Sequence, residues 1–307
     1  MDAFSRLIDL AQLHGSLDLR CQLAGGFALD HEPAPAGEAP FHLVLAGRAV
    51  VQLPDGSTTH LGAGDFLLLP RGSAHLMRSA DTKASALPMR MQLGGLLPVR
   101  RNTEGEVELD LLCGRFTYAT GLSDVIMSAL PDVLHLPLAQ TIGLGGLQGI
   151  VELLRAEVIH AQPGAIAIVS ALSQALFVLI LRAHAQREGM PASLLVLLGD
   201  PRLSRVVLAM LQHPERPWTV ATLAEQAMMS RATLARHFAS RGATSPLELL
   251  KLLRMQVARD LLAQGQLSTA DVAERVGYAS DAAFGKVFAQ RIGATPAAFR
   301  RQSRLLK

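Results

Sequence analysis

The feature that most restricts this chain is a pattern written twice between Thr219 and Arg300. The first copy holds Leu223-Ala224-Glu225-Gln226-Ala227, then Ser230 through Phe238, then Gly242-Ala243-Thr244-Ser245-Pro246. The second holds Val272-Ala273-Glu274-Arg275-Val276, then Ser280 through Phe288, then Gly293-Ala294-Thr295-Pro296. Small residues, a capping serine and an apolar i, i+4 pair (Leu234/Phe238, Phe284/Phe288) recur in the same order. Such a repeat predicts two helix-turn-helix units in an all-α domain over 201–307.

Between the copies lies a helix with well-marked ends. Ser245 is its N-cap, Pro246 suits the first helical position, and Glu248 completes a Ser-x-x-Glu capping box. Gly265 stands where a left-handed C-terminal residue belongs. Leu250, Leu253, Val257 and Leu261 form an apolar stripe. About nineteen residues at 1.5 Å each give a rod of roughly 28 Å. Successive major-groove segments on one side of B-DNA are about 34 Å apart. A stiff rod of this size can hold two recognition helices in neighbouring segments.

Charge supports a nucleic-acid partner. From Pro201 onward sixteen Lys/Arg face seven Asp/Glu, whereas the whole chain is only +3. The excess of basic residues is therefore confined to the repeat-bearing part, and the rest is acidic. Two cysteines, with no basic-plus-apolar leader, imply a reducing, cytoplasmic setting.

The N-terminal part reads differently. A short helix over residues 1–17 with a turn at Gly15-Ser16 is followed by short β-like runs at Leu19–Leu23, Phe41–Leu45, Ala49–Leu53, Phe66–Leu69 and Leu109–Tyr118. Pro54-Asp55-Gly56 is a hairpin turn, because Pro presets φ and Gly accepts positive φ. Closely spaced short strands predict a small barrel or jelly roll. The segment Gly64-Asp65-Phe66-Leu67-Leu68-Leu69-Pro70-Arg71-Gly72-Ser73-Ala74-His75 resembles the second motif of the cupins. His42 is the one residue that stands for the first motif, whose paired histidines and glutamate are missing.

From Gly121 to His184 the pattern is helical, in segments near Gly146–Ala161 and Ala165–Gln186. The second is apolar on most faces. Ser170, Ser173 and Gln174 interrupt it, whereas a membrane span needs ~20 nearly uninterrupted apolar residues. A buried helix, in a homodimer interface or in the core, is the expectation, and no membrane association. Arg187–Pro191 reads as linker sequence, and Leu203–Leu211 as the first helix of the last domain. The division is thus 1–120 barrel, 121–190 dimerisation region, 191–200 linker and 201–307 DNA-binding domain, an α+β chain of two domains.

The run Gly277-Tyr278-Ala279-Ser280, Phe284, Phe288, Gly293-Ala294-Thr295-Pro296 and Phe299-Arg300 is similar to the signature of the AraC/XylS family of bacterial transcription regulators. The resemblance covers about the last hundred residues, and a cupin-like sensor followed by a helical dimerisation region is that family's common layout. It implies binding to double-stranded promoter DNA, contact with RNA polymerase and, by the family's habit, activation. No catalysis is implied.

Placing Leu234 and Phe238 inward puts Ala232, Ala235, Arg236 and Ala239 outward. In the second copy Ala282, Gly285, Lys286 and Ala289 face out. Arg236 and Lys286 are thus candidates for guanine and the alanines for thymine methyls, with phosphate contact the alternative for both cations. Gly285 fits either close backbone approach to DNA or a second motif that reads sequence weakly. Arg231 is assigned to phosphate. Ser280 begins the second helix, and Asp281 caps it and favours its dipole.

Cys21 and Cys113 fall on the first and last strand-like runs. Three readings stand open for them: inert buried thiols, a redox switch favoured by Arg20 and Arg115 nearby, or zinc or another metal held with His42 and His75. Some cupin-type members of the resembled family respond to oxidants through cysteine, and Cys21 looks similarly placed. The effector is accordingly a small molecule or an oxidant. His31 and His60 read as solvated. Two other classes compete: a cupin metalloenzyme, which lacks its usual ligands, and a DNA-architectural protein, which would not need a barrel.

Overall fold

The computed structural model describes residues 2–80, 87–102, 105–118, 122–137, 145–185 and 192–305. The strands are β1 (His14–Leu23), β2 (Ala28–His31), β3 (Glu38–Ala46), β4 (Arg48–Gln52), β5 (Thr58–Gly62) and β6 (Asp65–Leu68). They continue with β7 (His75–Arg78), β8 (Arg90–Gln92), β9 (Val99–Arg101), β10 (Leu109–Thr117) and β11 (Leu134–Pro137). The first helices are α1 (Ala3–Ala11), α2 (Leu122–Ser128), α3 (Gly145–His160), α4 (Ala165–Ala185), α5 (Leu194–Gly199) and α6 (Pro201–Gln212). The repeat region supplies α7 (Val220–Gln226), α8 (Arg231–Gly242), α9 (Pro246–Gln264), α10 (Thr269–Arg275), α11 (Asp281–Ile292) and α12 (Pro296–Leu305).

The chain divides into two compact units that cut across its sequence order. One, the barrel unit, holds all the strands with α3 and α4; the other, the helical unit, gathers α1, α2 and α5–α12. In the barrel unit a sheet of order β11-β6-β3-β10-β1-β9-β8 accompanies one of order β2-β7-β4-β5. The hairpin at Pro54-Asp55-Gly56 joins β4 and β5, and Gly56 has φ +85. Two apolar groups fill the interior. Leu23, Leu29, Val44, Leu67, Met77 and Leu111 pack around the two cysteines. A row of rings, Phe66, Phe41, Phe116 and Phe177, has centroids 4.7 to 5.4 Å apart and seats α4.

Several local expectations change. The N-terminal helix ends at Ala11, with Gln12 left-handed at φ 47, and Gly15-Ser16 lies inside β1 rather than in a turn. Long pairing with β10 decides this, since a Cβ at Gly15 would sit 2.6 Å from Ser173 Cβ and 2.9 Å from Phe116 Cε1. Within the stretch read as helical, Leu134–Pro137 instead pairs antiparallel with β6, burying Leu134 and Leu136. Residues 191–200, read as linker, contain α5, whose Leu197 packs under Gly242. Arg187–Pro191 lies outside the described residues.

In the helical unit α9 spans nineteen residues. Ser245 Oγ accepts from Glu248 N at 3.2 Å, Pro246 opens the helix and Gly265 closes it at φ 77. Only half of the expected capping box forms there, because the Glu248 carboxylate is engaged with Lys251 and Arg291, each at 2.7 Å. Complete boxes occur at Thr219/Thr222 and Ser268/Asp271, ahead of α7 and α10. Of the four-residue stripe Leu250 and Leu253 are buried while Val257 and Leu261 are half-buried, and the buried surface of α9 extends instead to Met255, Gln256, Ala258, Arg259 and Leu262. One reason is α1, whose Leu10 carbonyl accepts from Gln256 Nε2 at 3.3 Å. Ser123 of α2 donates to the Ala11 carbonyl at 2.8 Å, so both helices are built into this unit.

Candidate functional site

The reading helices α8 and α11 are held in the same way. Ser230 and Ser280 accept from the backbone N–H three residues on, at 3.1 and 3.2 Å, satisfying donors that a helix start otherwise leaves open. Leu234 and Phe238 in α8, and Phe284 and Phe288 in α11, are fully buried. The opposite faces expose Arg231, Ala232, Ala235 and Arg236 in α8, and Ala282 and Lys286 in α11. Gly285 is half-buried, yet a Cβ built on it meets nothing within 4 Å, so no packing within the chain requires glycine there. Asp281 is exposed in the first turn of α11, where its charge suits the helix start.

The turn before each reading helix follows one plan. Met229 N donates to Ala224 O at 3.0 Å, and Tyr278 N donates to Ala273 O at 2.9 Å. The residue before each donor is left-handed: Met228 at φ 54 and Gly277 at φ +77. At Gly277 a Cβ would fall 2.8 Å from the Glu215 carbonyl, so the second turn needs glycine on two counts. Arg254, on α9, completes the support. It donates to the Pro214 and Arg216 carbonyls at 2.8 and 2.7 Å while its guanidinium lies 5.8 Å from the Tyr278 ring centre. Sequence reading missed Arg254; the available signal is a cation three residues before the apolar Val257.

In the barrel unit, Cys21 and Cys113 are buried on adjacent antiparallel strands. Their partners across the ladder are Leu111 and Leu19, so the thiols sit diagonally within one buried apolar group. The neighbouring Cys113 thiol, aided by the Arg100 charge, lowers the Cys21 thiol below its usual range. The Cys21 thiol and burial together raise Cys113. The cations expected to act on the thiols are otherwise occupied. Arg20 forms two bonds to Asp110 at 2.8 and 2.6 Å, and Arg115 binds Asp18 and Glu38 at 2.8 Å each. Arg100, across the parallel β1–β9 pairing from Cys21, takes the role assigned to Arg20 and Arg115.

His42 and His75 do come together, with Nε2 atoms 2.7 Å apart, and His42 Nδ1 lies 3.3 Å from Cys113 Sγ. His31 belongs with them, against the solvated reading: it pairs with His75 across β2–β7, and the two rings stack at 4.3 Å. His60 is exposed as expected. Burial is the chief reason all three clustered imidazoles resist protonation, His31 being pushed down to about 4. Neutral rings make the proton positions deducible. His31 Nδ1 and His75 Nδ1 face the Leu29 and Ser73 carbonyls at 3.1 and 3.0 Å, and carbonyls only accept. His75 Nε2 is then a bare lone pair, His42 Nε2–H donates to it, and His42 Nδ1 is left as an acceptor facing Cys113. A cavity of about 320 Å³, lined in part by His31, His42, Arg100 and Cys113, opens onto this group.

A pair of capped reading helices on a stiff spacer, in one chain with a cupin-like barrel, defines a two-domain α+β DNA-binding protein. A cupin model matches residues 2–186, and a helix-turn-helix domain model matches residues 223–302. An uncharacterised HTH-type transcriptional regulator of Haemophilus influenzae is 33% identical over 98% of this chain and 99% of its own length. The RCS-specific HTH-type transcriptional activator RclR of Escherichia coli is 30% identical over 100% of this chain and 99% of its own. The DNA-binding domain of AdpA, crystallised with a target DNA, is 36% identical over 35% of this chain and 96% of that one, at a TM-score of 0.33. The chain belongs to the AraC family of helix-turn-helix transcription regulators; it is a DNA-binding regulator and not an enzyme.

Proposed function

We propose that this regulator is an oxidant-responsive activator of transcription, acting in the cytoplasm as a homodimer on promoter DNA and recruiting RNA polymerase there. The observation that carries the sensing part is the placement of Cys21 and Cys113 diagonally on paired strands within one buried group, with Arg100 paired opposite Cys21 and Cys113 on the wall of a cavity. Two thiols and one molecule of hydrogen peroxide give one disulfide and two molecules of water. Each sulfur gives up one electron and its proton, and the O–O bond takes both electrons. The diagonal placement means that the bond forms only with a shift of β1 against β10. Those two strands adjoin α1 and α2 in the chain, and both helices belong to the helical unit. The E. coli relative's description as an RCS-specific activator favours the same reading.

Dimer formation is supported by an uncovered apolar face on α3 and α4, where Leu153, Ile159, Ile166 and Ile168 are exposed. In length and composition α4 would also suit a membrane span, but its other face seats Phe177 in the barrel core. On DNA, Arg236 and Lys286 are assigned to base edges, with Ala232, Ala235, Ala282 and Gly285 allowing close approach. Arg231 and the Ser280 cap are assigned to the phosphate backbone.

Fluorescence anisotropy on promoter DNA tests the DNA-binding and thiol-switch parts of the proposal. Peroxide should change the affinity of the native chain, and Cys21→Ser should abolish that change while leaving reduced-state affinity as it was. An undiminished oxidant response in Cys21→Ser rejects the thiol switch. Arg236→Ala should relax preference at one base pair, by about 1–3 kcal/mol. A uniform loss across sequences would mark Arg236 as a phosphate clamp instead.

A further inference from the structure

The geometry points to a transition-metal site in the barrel unit, formed by His31, His42 and Cys113 and selective for an ion that favours nitrogen and sulfur, zinc or copper. One donor atom from each of these residues lies within 4.8 Å of the other two. Two ligands on one zinc ion are about 3.3–3.6 Å apart in a tetrahedral arrangement, given Zn–N near 2.0–2.1 Å and Zn–S near 2.3 Å. His42 Nδ1 and Cys113 Sγ, at 3.3 Å, already meet that spacing, and a His31 nitrogen completes the group within the 4.8 Å limit.

The hydrogen bonds around the rings are those that metal-binding histidines carry. A ligating imidazole normally donates its other N–H to a fixed acceptor, which sets the ring and leaves the ligating nitrogen bare. His31 donates Nδ1–H to the Leu29 carbonyl, leaving Nε2 for an ion. His42 donates Nε2–H to His75, leaving Nδ1 beside the sulfur. His75 is in turn oriented by the Ser73 carbonyl. His75 thus orients His42, although its sequence motif makes it the more obvious ligand. The donor set, with a thiolate and no carboxylate, differs from the usual cupin centre of three histidines and a carboxylate, and imidazole with thiolate selects zinc or copper over magnesium or calcium. Asp18, Asp30, Glu32 and Glu38 line the same cavity against Arg100 and Arg115, a net negative lining that suits a cation, and three protein ligands leave one coordination position open. Binding releases the Cys113 thiol proton and leaves both imidazole N–H bonds intact.

This site shares Cys113 with the proposed thiol switch but does not use Cys21, so Cys21→Ser separates the two. Titration of the purified, reduced full-length protein with Co²⁺ should give a thiolate-to-cobalt charge-transfer band in the near ultraviolet, saturating at one ion per chain. Zn²⁺ or Cu⁺ should bleach it by displacing the cobalt. His31→Ala, a change at a half-buried cavity wall rather than in the core, should weaken binding by more than the roughly 10–100-fold cost of losing an outer hydrogen-bond partner. Cys113→Ser should remove the band, and Cys21→Ser should keep it. Absence of the band in the native chain overturns the site. So does a band that survives Cys113→Ser, or one that His31→Ala leaves at full affinity.

Discussion

Phe284→Ala should dismantle the second reading unit and shorten the protected DNA to a single groove segment per protomer. Phe284 is fully buried, with its ring 5.8 Å from Tyr278 and 5.5 Å from Phe288. It belongs to a group formed by Met255, Ala258 and Leu262 of α9, Val272 and Ala273 of α10, and Phe288. Truncating a buried phenylalanine costs about 3–5 kcal/mol, the lost transfer energy adding to that of the cavity. A group this small has little to absorb the loss. The first unit is held by its own Leu234 and Phe238. Footprinting therefore should show loss of one half of the protected region, while the native chain protects two. Full-length protection by the variant would mean that α11 does not read DNA.

The second large effect is expected in the barrel. Asp110→Ala should destabilise it by about 3–5 kcal/mol, because it strands Arg20 without its partner in a nearly dry site. The two side chains are only 13% and 8% exposed, and two parallel N–H···O bonds join them. Removing both charges with a pair of apolar residues of similar volume, Arg20→Met with Asp110→Leu, should recover most of that loss, since no unpaired charge remains. Thermal unfolding of the three proteins checks this. Equal destabilisation by the single and double variants would show that the ion pair contributes through packing alone.

The repeat region was legible in the sequence because its signals are local. Caps, turn residues and i, i+4 apolar pairs act within a few positions, and every helix read there is present. Where local chemistry competed with distant partners, sequence gave the wrong answer. Glu248 has the spacing for a capping box, but Arg291, forty-three residues on, holds its carboxylate. Gly15-Ser16 has turn composition, but β10 holds it as strand. Met228 takes a left-handed backbone without being glycine, so no residue type marked that turn.

The sensor cluster shows the same contrast. His42 and His75 could be named from a motif and Cys21 and Cys113 from their type. His31 and Arg100 could not, because each enters through strand pairing, His31 against His75 and Arg100 against Cys21. Charge near a thiol in sequence proved a poor guide to charge near it in space. Arg20 alternates to the other face of the strand from Cys21, as the two-residue period of a strand requires.

The placement of α1 and α2 bears on how such regulators can be recombined. Leu7, Leu10 and Ala11 are buried in the helical unit, although they precede the barrel in the chain. A fragment starting near residue 192 would leave α6 and α9 without this cover, showing water the apolar surface that Leu7 and Leu10 normally occupy. Swapping sensory halves between relatives by a single crossover would pair one protein's leading helix with another's α9. Chimaeras that carry the first dozen residues along with the DNA-binding half should be the ones that stay folded.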